Sequence, residues 1–396
     1  MSFAPLAIIL GLSPTGLYAV RELAEIGVQI LGITTHFSCG QFSSLLSHPD
    51  KFWHITEHRR LLQRLLLLAE GEAEPPVLLP TSDLYIDFIT KYSTQLRPHF
   101  VFQHSYQSDI ASSILDKGSF YTLCRAHNIA TPEVWESGSK EELQSLSDKV
   151  IFPCILKPKL IHEVRKFMQG KKVLLARTRE EFDNMAASIP IGGWLVQEVI
   201  PGPESNIFLF AGYFDTSGEP VQTFTARKLR QYPPGFGSAS LVQSEIQQDV
   251  HELSISFLQA LNFKGICGTE FKFDPRDNCF KMIEINPRAT LWFNISNQAG
   301  KRFAQTAYLD MIGNKINDEV KQSDGVVWRY VLKDIYSTFF YLYKGGRFIF
   351  PPPEMKKKYR VPQSSRSWAV FNRRDPLPAF IEPLQFLNKL IQRREP

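Results

Sequence analysis

One stretch, Thr269 to Arg288, constrains this chain more than any other. It reads as a β-hairpin with its turn at Pro275 to Asn278, where the residue types favour a tight reversal. Alternation puts Phe271 and Phe273 on one face of the first strand and Glu270 on the other. On the second strand Ile283 and Ile285 continue the apolar face, while Glu284 and Asn286 share the polar one. If the register sets Glu270 opposite Glu284, two carboxylates face each other, which destabilises a strand pair. A hard divalent cation between them removes that penalty, and carboxylate and amide oxygens suit Mg²⁺. Most charged side chains on a strand pair merely face water, and that reading stands for any one of these residues alone. Two acids, an amide and Arg288 in this order are uncommon by chance.

At 396 residues the chain has room for two or three domains. Its 43% hydrophobic and 21% charged content is ordinary for a globular protein. A net charge of +5 is small for this length, and no nucleic-acid motif accompanies it, so no nucleic-acid partner is expected. The five cysteines form no CxxC pair, which argues against zinc and for a reducing compartment. The apolar start, Ser2 to Leu12, lacks the basic flank of a leader and reads as a strand. No run approaches the roughly 18 apolar residues of a membrane span. These features predict a cytoplasmic protein with no membrane partner. Leu61 to Ala69 is apolar but short, and reads as a buried amphipathic helix.

Strand Leu6–Leu10, the turn Gly11 to Gly16, helix Leu17–Ile26 and strand Val28–Ile33 make a β-α-β unit and predict a parallel sheet. The Gly11/Gly16 turn fits a structural role or a ligand contact, and its two glycines are a weak motif. A helix is expected from Ile114 to His127. Strands follow at Val150–Pro158 and Lys171–Ala176, a helix at Arg179–Ala187 and a strand at Trp194–Ile200. A hairpin of Ile207–Phe214 and Val221–Lys228 and a helix at Ile246–Leu261 lead into the opening hairpin. Beyond Gly313 the tail carries an aromatic-rich helix, Asp334–Tyr343, and a basic run, Lys356 to Lys358. That run reads as a solvated surface.

The pattern Glu270…Glu284-x-Asn286-Pro287-Arg288 is similar to the metal-binding signature of the ATP-grasp superfamily. Other segments fall in that superfamily's order. Leu115 to Lys117 resembles the segment bearing the first nucleotide-contacting lysine, Lys117. Phe152 to Pro158 resembles the strand that delivers Lys157 to the α- and β-phosphates. Trp194 to Glu204 resembles the hinge, which implies that Gln197, Glu198, Val199 and Ile200 line the adenine edge and that Glu204 takes the ribose. Lys228, at a strand end, matches a cation that reaches the γ-phosphate and the acceptor carboxylate. Arg288 would stabilise charge on the reacting acyl group. Elementary chemistry fits each role: lysines neutralise phosphates, a carboxylate accepts two ribose hydroxyls, and an apolar strand flanks a base. The segment 159–170 has one glycine where many members have a glycine-rich lid, and here the chain looks more like the D-aspartate-ligase-like carboxylate–amine ligases. His162, Lys166 and Lys171 are candidate substitutes for the missing lid contacts. The tail segment Asn372 to Pro378 also resembles that branch.

The resemblance implies a mixed α/β and α+β fold. It has a Rossmann-like pre-ATP-grasp domain at 1–113, an ATP-grasp domain at 114–313 and a C-terminal extension at 314–396. Within the ATP-grasp domain the small lobe is expected at about 114–193 and the large lobe at about 194–313. It implies an ATP-dependent ligase that joins an amino-acid-like carboxylate to an amine through an acyl phosphate. ATP and Mg²⁺, or Mn²⁺, would be its cofactors, with Glu270, Glu284 and Asn286 as the metal ligands. Dimers are common in the superfamily, so a homodimer is one expected state. A member using another nucleophile, a nucleotide-binding pseudoenzyme and an NAD-dependent oxidoreductase are the alternatives. The last rests only on the Gly11/Gly16 turn.

Overall fold

The structure, a computed structural model, describes residues 4–159, 164–168, 173–189, 193–314, 316, 320–344, 348–353 and 365–392. His162 and Lys171, and the side chain of Lys166, lie outside the described residues.

Near-continuous apolar runs build the first sheet, as burial on both faces requires. Its four strands are ordered Phe52–His54, Ile30–Thr34, Ala7–Leu10, Val77–Pro80, and every pair is parallel. The turn into helix Pro14–Glu25 is closely packed. Gly11 has φ +104°, and a Cβ on Gly16 would stand 1.8 Å from the Gly11 carbonyl oxygen. Both glycines are therefore required by the chain path itself.

A second sheet is antiparallel, ordered Val134–Ser137, Trp194–Glu198, Cys154–Pro158, Leu174–Ala176. Helices Lys140–Ser145 and Arg179–Ser188 cover it, and Leu156, Phe182, Trp194 and Val196 form its core. Strand Trp194–Glu198, expected from the sequence to open the large lobe, pairs with Val134–Ser137 and Cys154–Pro158 in this sheet. The expected helix Ile114–His127 is two helices, Ile110–Leu115 and Lys117–Ala126. Asp116 separates them in extended conformation and accepts from the Ser119 N–H at 2.8 Å as an N-cap.

The third sheet has seven strands, in the order Cys279–Asn286, Gly265–Asp274, Ile207–Phe214, Pro220–Tyr232, Ser238–Ser244, Val327–Arg329, Arg366–Trp368. The last two come from the tail, which extends this sheet instead of hanging from it. Helices Gln248–Ala260, Asn294–Gln298 and Phe303–Met311 pack against this sheet. Asp375 staples the tail to the N-terminal unit. Fully buried, it accepts from Arg21 Nε at 3.2 Å, Ser43 Oγ at 2.9 Å and the Ser44 N–H at 3.0 Å.

Candidate nucleotide and metal site

The hairpin forms with the register that makes its acids meet. Glu270 lies directly opposite Glu284, and Gly268 opposite Asn286. A β-bulge between Glu270 and Phe271 leaves Ile283 without a partner residue and bends the strand next to the acids. Asn286 Nδ2 donates to Glu284 Oε1 at 3.1 Å, so the amide and the carboxylate share one cluster. Lys228, reaching across from strand Pro220–Tyr232, donates its ammonium to Glu270 Oε2. That ammonium offsets one of the two facing charges and stands where a cation is wanted. Two carboxylates and an amide form an all-oxygen donor set, so the residues present fit Mg²⁺ or Mn²⁺.

Two of the expected lysines, Lys117 and Lys157, gather at the end of strand Cys154–Pro158. Lys157 Nζ donates to Gln197 Oε1 at 2.7 Å, and the Tyr121 hydroxyl donates to the same oxygen at 2.9 Å. Lys117 Nζ donates to the Pro158 carbonyl at 3.2 Å, at the end of the Lys157 strand. Val199 and Ile200 are buried just beyond the hinge strand. Val199 packs with Ile155 and with Phe350 from the tail.

Three of the sequence-derived candidates have neighbours that the sequence did not indicate. The Glu198 carboxylate is buried and engaged by the Glu133 N–H at 3.1 Å and Arg276 Nη2 at 2.8 Å. Arg276 also grips Asp274, and that guanidinium, with Lys281, holds the Asp274 carboxyl well below the usual range. Glu204 is fully buried and accepts from the backbone N–H groups of Gln231 at 3.0 Å and Gly235 at 2.6 Å. Burial pushes its carboxyl up, opposed by hydrogen bonds from Tyr341 and those two N–H groups. Arg288 Nε donates to Asp83 Oδ1 at 2.7 Å, which ties the end of the hairpin to the N-terminal unit. The Pro287 carbonyl beside it accepts from the Tyr106 hydroxyl at 2.7 Å and Gln103 Nε2 at 3.2 Å.

Lys272 was missed by sequence reasoning. Two residues after Glu270, it lies on the same strand face, and it is buried with its ammonium 3.7 Å from the centre of the Phe350 ring. Burial pulls its pKa down to about 7, against the pull of Glu204 and Asp274. The signal was available, since a lysine alternating with a candidate metal ligand shares its face. Phe350 carried no sequence signal, because only the fold brings the tail to the hinge.

No family model matches the sequence. A D-aspartate ligase of Enterococcus faecium (strain Aus0004) is 26% identical over 227 residues, 54% of this chain and 53% of that protein. The chain therefore aligns with about half the length of this curated relative. N5-carboxyaminoimidazole synthetase from Staphylococcus aureus superposes with a TM-score of 0.65 at 11% identity, over 87% of this chain and 88% of that one. The biotin carboxylase domain of the Hydrogenobacter thermophilus 2-oxoglutarate carboxylase, in complex with MgADP and bicarbonate, gives 0.61 at 13%, over 83% and 74%. At these identities the structural likeness establishes the fold. Among the described residues no helix is long and apolar enough to cross a membrane. The chain has the ATP-grasp fold, and in sequence it resembles the carboxylate–amine ligase branch of that superfamily.

Proposed function

We propose that the protein is an ATP-dependent carboxylate–amine ligase. The observation that carries this reading is the facing pair Glu270/Glu284 with Asn286 beside it and the Lys228 ammonium in contact. Glu270, Glu284 and Asn286 would hold Mg²⁺, which supplies charge neutralisation at the β- and γ-phosphates. Lys117 and Lys157 bind the remaining phosphate oxygens. Gln197 orients Lys157, and the backbone of Glu198 to Ile200 meets the adenine edge. Glu204, whose two oxygens the Gln231 and Gly235 N–H groups hold, would take the ribose hydroxyls only by exchanging those partners.

A substrate carboxylate oxygen attacks the γ-phosphorus while the bond to the β-phosphate oxygen breaks, giving an acyl phosphate and ADP. Lys228 draws the carboxylate and the γ-phosphate together. An amine then adds to the acyl carbon, loses a proton, and expels phosphate to leave an amide. Arg288 stabilises the oxyanion of the tetrahedral species. Positioning and electrostatics carry the rate, so no covalent protein nucleophile is required. Cys124 and Cys154, whose thiols burial pushes up to about 12, suit that chemistry by staying inert.

The test is ADP release from pooled amino acids and amines, with mass detection of the amide. Release that depends on both a carboxylate and an amine, lost in Glu284→Gln, is the expected result. ADP release indifferent to every pair would overturn the reading.

A further inference from the structure

Two tail helices are amphipathic in the reverse sense. A helix on a globular protein turns its apolar stripe to the core. Helix Val331–Lys344 instead turns polar groups inward. Asp334 is buried and gripped by Arg230 through Nε at 2.7 Å and Nη2 at 2.9 Å, and Ser337 donates to the Gln231 carbonyl at 2.6 Å. Its outer side shows Ile335, Phe339, Leu342 and Tyr343, the last 80% exposed. Helix Leu377–Gln392 repeats the arrangement. Glu382 and Gln385 face inward, with Gln385 Oε1 accepting from the Cys39 N–H at 3.0 Å. Leu377, Phe380, Leu384 and Leu387 face out, and Phe380 is 70% exposed. Their spacing of three and four residues makes one stripe. The helices are neighbours, since Tyr232 packs against both Tyr336 at 5.0 Å and Phe386 at 6.0 Å. An apolar surface of this extent marks an interaction site.

Charge decides what covers it. Residues 331–396 hold thirteen Lys and Arg against five Asp and Glu, a net +8, so residues 1–330 carry −3 of the chain's +5. The basic residues bracket the helices in sequence: Lys344 and Arg347, Lys356 to Lys358 with Arg360, Arg373 and Arg374, then Lys389, Arg393 and Arg394. Arg373 and Arg374 are exposed just ahead of the second helix. A second copy docked through the same face would bring the exposed Arg373 and Arg374 of both copies together, and like charges oppose that. An anionic bilayer surface offers what both features need, hydrocarbon for an aromatic-rich stripe and negative headgroups for its basic flanks. Lying on a bilayer needs no spanning segment.

We propose that these two helices dock the protein on an anionic lipid surface, each lying in the interface plane. The test is co-sedimentation of the full chain with vesicles of phosphatidylcholine alone or mixed with phosphatidylglycerol. Binding is expected only to the mixed vesicles, falling roughly tenfold or more between about 0.15 M and about 1 M salt. The double variant Phe380→Glu/Leu384→Glu should lose binding by a similar factor, with an unchanged thermal midpoint because both side chains are exposed. Reversing charge at Arg373 and Arg374 should weaken it independently of the stripe. Sedimentation with neither vesicle, equal sedimentation with both at either salt, or a dimer that the double variant splits would overturn the proposal.

Discussion

Glu270 and Glu284 stand directly opposite each other on adjacent antiparallel strands, and the Lys228 ammonium touches the first of them. Such a pair costs the metal-free protein stability. Glu284→Gln should therefore leave the unfolding free energy unchanged or raise it by about 0.2–1 kcal/mol. The same change should cut ADP release by roughly 10²-fold or more. Denaturant melts and a coupled ADP assay check both halves. A fall in stability alongside the loss of activity would make Glu284 a structural residue.

The Gln197 amide oxygen is shared by the Lys157 ammonium and the Tyr121 hydroxyl. Gln197→Leu removes that acceptor inside a buried site, at a cost of about 1–3 kcal/mol. Because Lys157 is then no longer oriented, KM for ATP should rise more than kcat falls, and steady-state kinetics with ATP as the varied substrate read the split.

Lys272 and Glu22 give opposite pH signatures. Burial lowers Lys272 to about 7, so from about pH 7 to about 10.5 the unfolded chain binds more protons and stability rises with pH. Lys272→Met should flatten that rise. Glu22 is fully buried between helices Pro14–Glu25 and Phe303–Met311, and accepts from the Gln305 N–H at 3.0 Å. Burial raises it to about 7, so between about pH 4.5 and about 7 the folded state holds the extra proton and stability falls as pH rises. Glu22→Gln should abolish that fall. Thermal midpoints across roughly pH 4.5–10 for the two variants, each against wild type, resolve the slopes.

Asp83 orients Arg288 without belonging to the nucleotide slot. Asp83→Asn should lower kcat by roughly tenfold or more while leaving KM for ATP near wild type, the pattern of a lost transition-state contact. A matching rise in KM for ATP would place the coupling elsewhere.

The hairpin was legible in the sequence because its signals are local. Period-two alternation and turn residues suffice to put Glu270, Glu284 and Asn286 on one face. The parallel first sheet was legible for the same reason, through one β-α-β unit. What escaped depends on distant partners. Strand Trp194–Glu198 looks alike in either lobe until its neighbours are known. Strands Val327–Arg329 and Arg366–Trp368 are three residues long, too short to show a period. Glu204, in a Pro-Gly turn, has the local signature of a surface acid, and only Gln231 and Gly235 reveal that it is sealed. The aromatic tail helix was visible as a helix, but periodicity cannot say which side faces inward.

The Pro287 carbonyl, held by Tyr106 and Gln103, is a main-chain atom, so almost any side chain at that position would preserve the contact. The bond constrains geometry while leaving the local sequence free to drift. Arg288, one residue on, has no such latitude, since its guanidinium must meet Asp83. A foreign N-terminal unit would have to bring counterparts of Gln103 and Tyr106 for the carbonyl and of Asp83 for the guanidinium to keep both contacts.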